Sequence, residues 1–215
     1  MLLPAILAMA AIVVTSNILV QFVTVGGLLT WGAFTYPFAF LVIDLTNRAH
    51  GPRAARSVVL WGFATGVLCS LVGSQVMLDT GPAVPLRVAV ASGAAFLAAQ
   101  LLDVAIFQRF RTREWWRAPL TSTFVSSSLD TVIFFSLAFS ATAAPFFPLA
   151  ANEAVSWAQD PVPLLNLGPE APLWASLALA DLGVKIVLAL LTMGPYRLLT
   201  RHLQASVASR EATST

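Results

Sequence analysis

Charge is scarce in this chain of 215 residues: 10% are Asp, Glu, Lys or Arg, while 58% are hydrophobic and mean hydropathy is +0.81. A soluble domain carries about a quarter of charged residues, so the composition excludes one and implies an integral membrane protein. Cysteine is almost missing. Cys69 stands alone inside an apolar run, which rules out an intrachain disulfide and a thiolate metal cluster. The two histidines, His50 and His202, fall outside every long apolar segment, and no H-E-x-x-H, G-x-S-x-G or nucleotide-binding loop is present. Zinc hydrolysis, serine hydrolysis and self-contained ATP-driven transport go with them, so no enzyme, metal or cofactor is expected. The formal charge of +2 comes from basic residues in short connectors rather than on one face, which is a pattern of membrane topology and not of nucleic-acid binding.

Six apolar segments are present instead, at about 3–22, 28–47, 58–77, 86–108, 119–140 and 172–193. Each is near the roughly 20 residues that cross a bilayer. The expectation is an all-α integral membrane protein of six transmembrane helices in a single domain, 1–201, with a disordered cytoplasmic tail over 202–215. Ala8-Met9-Ala10 resembles a signal cleavage site, but no Lys or Arg precedes it and the apolar run continues to Val23. With six spans, Arg48, Arg53, Arg56, Arg109, Arg111, Arg113 and Arg117 share one side with Arg197, Arg201 and Arg210, against Arg87 alone on the other. Both termini are then cytoplasmic. The side away from the arginines collects Asp79, Glu153, Asp160 and Glu170. Gly26-Gly27 marks a turn, Gly62, Gly66, Ser70 and Ser74 form a small-residue packing stripe, and Leu149 to Trp157 in the long connector 141–171 reads as a short interfacial helix.

The polar residues inside these segments fall in stripes. Asp130 lies in the middle of an apolar run, at the end of a hydroxyl row of Thr123, Ser126 and Ser127. An acid at that depth costs roughly 2.5–3.5 kcal/mol on insertion scales and normally faces a bundle interior or polar cavity. Asp181 and Lys185, four residues apart, stand about 6 Å apart along one helical face and supply a partner. Asn17 and Gln21 make a polar stripe on the first segment. Trp31, Tyr36 and Phe40 bring rings to the second, where Pro37 should kink the helix and Asp44 ends the stripe with Arg48 four residues on. Phe96, Gln100, Asp103 and Phe107 repeat the pattern on the fourth, and Trp115-Trp116 sit where rings anchor at the headgroup level. Counting depth along each segment places Asp130, Asp181 and Lys185 near the middle, with Asp44 and Asp103 toward one face as a gate with the arginines. Four intramembrane acids and a lysine imply a solute pathway. An aspartyl hydrolase would need two acids together, and Lys185 beside Asp130 and Asp181 argues instead for an ion pair or ligand clamp.

Trp31-Gly32-Ala33-Phe34, Tyr36-Pro37-Phe38, Asp44-Leu45-Thr46, Gln100-Leu101-Leu102-Asp103-Val104, Trp115-Trp116-Arg117-Ala118-Pro119, Asp130-Thr131 with Phe134-Phe135, and Asp181 with Lys185 resemble the queuosine precursor transporter family, also called the vitamin uptake transporter family. The resemblance implies a multi-pass bacterial inner-membrane importer of 7-deazaguanines such as preQ0 (7-cyano-7-deazaguanine) or preQ1 (7-aminomethyl-7-deazaguanine), salvaged for queuosine modification of tRNA. It offers Asn17, Gln21, Trp31, Tyr36, Phe40, Gln100, Asp130, Thr131, Asp181 and Lys185 as substrate-binding residues, with Asp44, Arg48 and Asp103 as a gate. A carboxylate, Asp130 or Asp181, could accept from N1–H and N2–H2 of the flat base while Asn, Gln or Lys meets O6. The connector 141–171 matches no pattern of that family, and a homo-oligomer stays open. A second reading is a substrate-binding subunit energised by a separate ATPase, as in energy-coupling-factor vitamin transporters. The A-x-x-x-A docking pattern typical of their first helix is missing.

Overall fold

Proline and glycine set the borders of the helices. The computed structural model describes residues 2–22, 24, 27–78 and 81–212, with side chains as far as His202. Helix α1 (Leu3–Leu19) carries Pro4 in its first turn, where the missing N–H had no helical partner to lose. The chain then turns, with Thr24 N–H on the Leu29 carbonyl and Trp31 N–H on the Phe22 carbonyl. Helices α2 (Gly32–Thr35) and α3 (Phe38–His50) follow as separate pieces, because Pro37 has no N–H for the Ala33 carbonyl. Shorter bonds carry the chain across that break, from Ala39 to Tyr36 and from Phe40 to Pro37. Gly51, at φ +82°, ends α3 by donating to Asn47, and Pro52 opens α4 (Pro52–Gly73).

A hairpin of β1 (Met77–Leu78) and β2 (Gly81–Pro82) leads to the long antiparallel pair α5 (Leu86–Phe110) and α6 (Arg117–Phe139), the most extensively packed pair in the molecule. After a 3-10 turn at Ala141–Phe146 come α7 (Leu149–Glu153), a second hairpin of β3 (Pro161–Pro163) and β4 (Glu170–Pro172), and α8 (Leu173–Leu191). Helix α9 (Met193–Ala212) ends the described part of the chain; residues 213–215, like Gly26 and Asp79, lie outside the described residues.

The fold is helical and multi-span, but the expectation of six transmembrane helices is corrected. Among the described residues, four helices are long and apolar enough to cross a membrane: Pro52–Gly73, Leu86–Phe110, Arg117–Phe139 and the run Leu173–His202. The first apolar segment yields only 17 helical residues, about 25 Å at 1.5 Å per residue, short of a hydrocarbon core of about 30 Å. Pro37 cuts the second into pieces of 4 and 13 residues. The orientation with both termini cytoplasmic was counted from six spans, a number the described helices do not support.

Among the described residues three apolar clusters form the interior, the smallest of them Phe107, Ala118 and Tyr196. Met9, Val13, Ala39, Ile43, Val58, Val59, Phe96 and Val104 join α1, α3, α4 and α5, with Tyr36 packed against them. A Cβ at Gly62 would stand 2.6 Å from Met9 Cγ and 2.9 Å from the Phe96 ring, so the small-residue stripe packs as its spacing predicts at this position. Ala91, Phe135, Ala138, Phe139, Val155 and Ala158 join α5 and α6 to the connector.

That connector is folded rather than loose. Arg87, 3% exposed at the start of α5, donates to the carbonyls of Leu137 (3.0 Å) and Ser140 (2.9 Å) and to Asn152 Oδ1 (3.0 Å). It thereby places a cation on the carbonyl end of α6 and ties 141–153 to the bundle. Gln159 donates to the Phe139 carbonyl and the Leu165 N–H to Ser176 Oγ.

Candidate functional site

Asp130, Asp181 and Lys185, which the sequence places at matching depth, meet in the structure. Helix α6 brings Asp130 and Thr131, and α8 brings Asp181 and Lys185 one turn apart. The Lys185 ammonium lies 2.6 Å from Asp130 Oδ2, 2.5 Å from Asp181 Oδ2 and 3.1 Å from Thr131 Oγ1. Its three N–H donors are therefore all in use. Thr131 Oγ1 donates to Asp181 Oδ2 at 2.9 Å, and Tyr36 OH donates to Asp130 Oδ1 at 3.3 Å. Tyr36 reaches in because the break at Pro37 ends α2 beside α8. Its ring stacks edge-on against Phe40 and Phe96 and lies 5.7 Å from the Lys185 ammonium, a cation–π distance.

Burial is uneven across this cluster. The side chains of Lys185 and Asp130 are 5% and 6% exposed, whereas that of Asp181 is 16% exposed. Both oxygens of Asp130 accept a hydrogen bond. Among the described residues no donor reaches Asp181 Oδ1.

A second polar row runs along the α5–α6 seam. Gln100 and Asp103 on α5 and Ser126 on α6 are each fully buried, and the Gln100 carboxamide, both Asp103 oxygens and Ser126 Oγ have no hydrogen-bond partner among the described residues. Counting outward from the turn at 111–116 puts Asp103 level with Ser122 and Thr123, and Gln100 level with Ser126. Asp44, on α3, lies beside Asp103 and accepts from Ser122 Oγ (3.3 Å) and Thr123 Oγ1 (3.5 Å). Buried polar groups left unpaired cost about 1–3 kcal/mol each, and Asp103 has the Asp44 carboxyl and the Ser122 hydroxyl as its nearest polar neighbours.

Other residues expected at the site stand apart from it. Asn17 donates to the Val13 carbonyl of its own helix at 2.9 Å, Gln21 is exposed and reaches the Ala83 carbonyl, and Trp31 is 54% exposed beside Phe34. Arg48 does not pair with Asp44. It donates to Tyr196 OH (3.1 Å) and to the Arg111 carbonyl (2.8 Å), while Arg111 returns a bond to the Arg48 carbonyl. Arg48 lines an open cationic cavity of about 320 Å³ with Arg113, Trp115, Tyr196, Arg197 and Arg201. Sequence reasoning missed Arg87, Asn152 and Tyr196. A lone arginine opposite all the others was the only visible signal for Arg87; Tyr196 and Asn152 had none.

Residues 30–199 match the family described as "Putative vitamin uptake transporter". The "Queuosine precursor transporter" of Escherichia coli is 38% identical over 141 residues, 60% of this chain and 64% of that protein. The "Probable queuosine precursor transporter" of Haemophilus influenzae is 37% identical over 141 residues (60% and 57%), and that of Bacillus subtilis 35% over 128 residues (51% and 56%). The chain thus spans about six-tenths of the length of the curated relatives it matches. No solved structure matches it. With most of its length matched, and with a multi-span helical bundle around buried acids and a lysine, the chain belongs to the vitamin uptake transporter family, a family of membrane transporters.

Proposed function

We propose that this protein imports queuosine precursors, 7-deazaguanines such as preQ0 or preQ1, across the bacterial inner membrane without a bound cofactor. The observation that carries the reading is the buried Asp130–Lys185–Asp181 cluster, closed by Tyr36 and Thr131, in a chain whose relatives bear the name queuosine precursor transporter. Charged groups at such depth are kept for a pathway, since a purely structural interior is cheaper without them.

The division of labour follows from which groups are already satisfied. Asp130 has both oxygens occupied, so it fixes Lys185 and Tyr36 rather than reading a base edge. The unpartnered seam has the complementary chemistry: Asp103 offers two acceptors to adjacent N1–H and N2–H2 donors, and the Gln100 carboxamide offers a donor to O6. Seven residues of helix separate Thr123, level with Asp103, from Asp130, a rise of about 10 Å, so a bicyclic base can extend from the seam toward the charged cluster. Gln100, Asp103 and Ser126 are closed to solvent here, so the ligand reaches them when the helices part. Phe40 and Phe96, beside Tyr36, supply flat apolar surface.

Uptake by proteoliposomes holding this chain alone tests the reading. Saturable accumulation of labelled preQ0 or preQ1, with no ATPase present, is the expected result. Binding without translocation until an ATPase is added would transfer the protein to the class of substrate-binding subunits.

A further inference from the structure

The charged cluster does not balance. With both acids ionised, two carboxylates and one ammonium would carry one negative charge in excess, and Lys185 has no donor left to give. The excess has an address. Asp130 Oδ1 takes the Tyr36 hydroxyl and its Oδ2 takes Lys185, whereas Asp181 receives Lys185 and Thr131 both on Oδ2. Its Oδ1 is bare among the described residues, on the most exposed side chain of the cluster. Among the described residues no cation other than Lys185 reaches it. The groups facing Asp181 are Lys185 from its own helix, Asp130 and Thr131 from α6, and Tyr36 from the end of α2. The connector segments packed on α8 bring only Asp160 and Glu170, both exposed, and the arginines Arg197 and Arg201 of α9 line the cavity beside Arg48.

We propose that Asp181 Oδ1 is where one positive charge joins the cluster for each ligand carried. With a neutral 7-deazaguanine that charge is a proton, taken up on the side of entry and released on the side of exit. With an aminomethyl-7-deazaguanine it is the ligand's own ammonium, donating N–H bonds to Oδ1 in the proton's place. This rests on the reading of the chain as a precursor importer and adds the coupling ion to it. The physical reason is that an uncompensated charge is expensive in a low-dielectric interior, so the loaded cluster crosses its occluded state as a neutral set. Asp130 already accepts on both of its oxygens, whereas Asp181 Oδ1 has no partner among the described residues.

The test uses the full chain in proteoliposomes under an imposed pH gradient or membrane potential, with preQ0 and preQ1 as separate probes and both current and uptake recorded. The expected result is that preQ0 uptake carries inward current of one charge per molecule and reaches about tenfold accumulation per unit of pH gradient, from the equivalence of one proton per pH unit. Uptake of preQ1 carries the same charge, follows the potential and ignores the pH gradient. Asp181→Asn loses the tenfold accumulation of preQ0. Wild-type uptake of preQ0 that is electroneutral and indifferent to the pH gradient would overturn the proposal while leaving precursor import intact. Absence of uptake of both probes by protein present in the vesicles would overturn import itself and this inference with it.

Discussion

Lys185→Met keeps the apolar stem and removes the ammonium, which makes it the sharpest probe of the buried cluster. Three bonds disappear, to Asp130 at 2.6 Å, Asp181 at 2.5 Å and Thr131 at 3.1 Å, leaving two carboxylates without their cation. Breaking a buried ion pair from one side costs about 3–5 kcal/mol. The partial exposure of Asp181 places this case near the low end, about 3 kcal/mol, because water can approach that carboxylate. Asp130→Asn costs less, about 1–2 kcal/mol, since Lys185 then still balances Asp181 and the amide retains an acceptor for the tyrosine. The double variant removes both sides of the pair, so its cost falls short of the sum by about 2 kcal/mol. Equilibrium unfolding of the four proteins in mixed micelles, followed by far-ultraviolet circular dichroism, measures the cycle. Additivity to within about 0.5 kcal/mol would refute the reasoning, because it would mean that Lys185 and Asp130 do not interact in the folded protein.

Four further outcomes follow from particular contacts. Asp103→Leu, which removes two unpartnered oxygens from the seam, should stabilise the protein or leave it unchanged while precursor uptake falls at least tenfold; normal uptake would remove Asp103 from base recognition. Asn17→Ala and Trp31→Ala should leave uptake within about twofold of wild type, since one side chain bonds only its own helix and the other is 54% exposed; a deep loss from either would restore it to the pathway. Arg87→Met should cost about 2–4 kcal/mol by leaving the Leu137 and Ser140 carbonyls and Asn152 without their donor, and limited proteolysis should then cut within 141–171 first. Gly51→Ala should cost about 1–3 kcal/mol in a thermal melt, from its backbone at φ +82° and ψ 177°, a region open essentially to glycine, because nothing lies within 4 Å of an added Cβ.

What the sequence could reveal depended on the range of the interaction. Asp181 and Lys185 share a helix face by spacing alone, and the depth of Asp130 matched theirs, so their meeting was legible before any packing was known. The register of Gln100 and Asp103 along one face was legible too. Partners across the bundle were not: helical spacing pairs Arg48 with Asp44, yet Tyr196 and the Arg111 carbonyl outcompete that short-range choice. Pro37 was visible as a disturbance, but whether a proline kinks a helix or breaks it depends on the chain packed around it, and here Tyr36 gains Asp130 from the break. Apolar length overstated the spans for a related reason. The stretch after Leu19 is apolar enough to continue a helix, but Gln21, Phe22, Thr24, Gly27 and Trp31 spend their backbone N–H groups on turn bonds. The fold of the connector rests on Arg87, whose partners lie 50 to 65 residues away.

The central claim is that this chain carries a queuosine precursor past the cluster centred on Asp130. The most direct measurement is the queuosine content of tRNA in cells unable to make the precursor, expressing the wild type or Asp130→Asn, with scarce preQ0 or preQ1 supplied outside. Restoration by the wild type, and none by the variant at equal abundance in the membrane, is the predicted result. Failure of the wild type with both precursors, or full restoration by Asp130→Asn, would contradict the account.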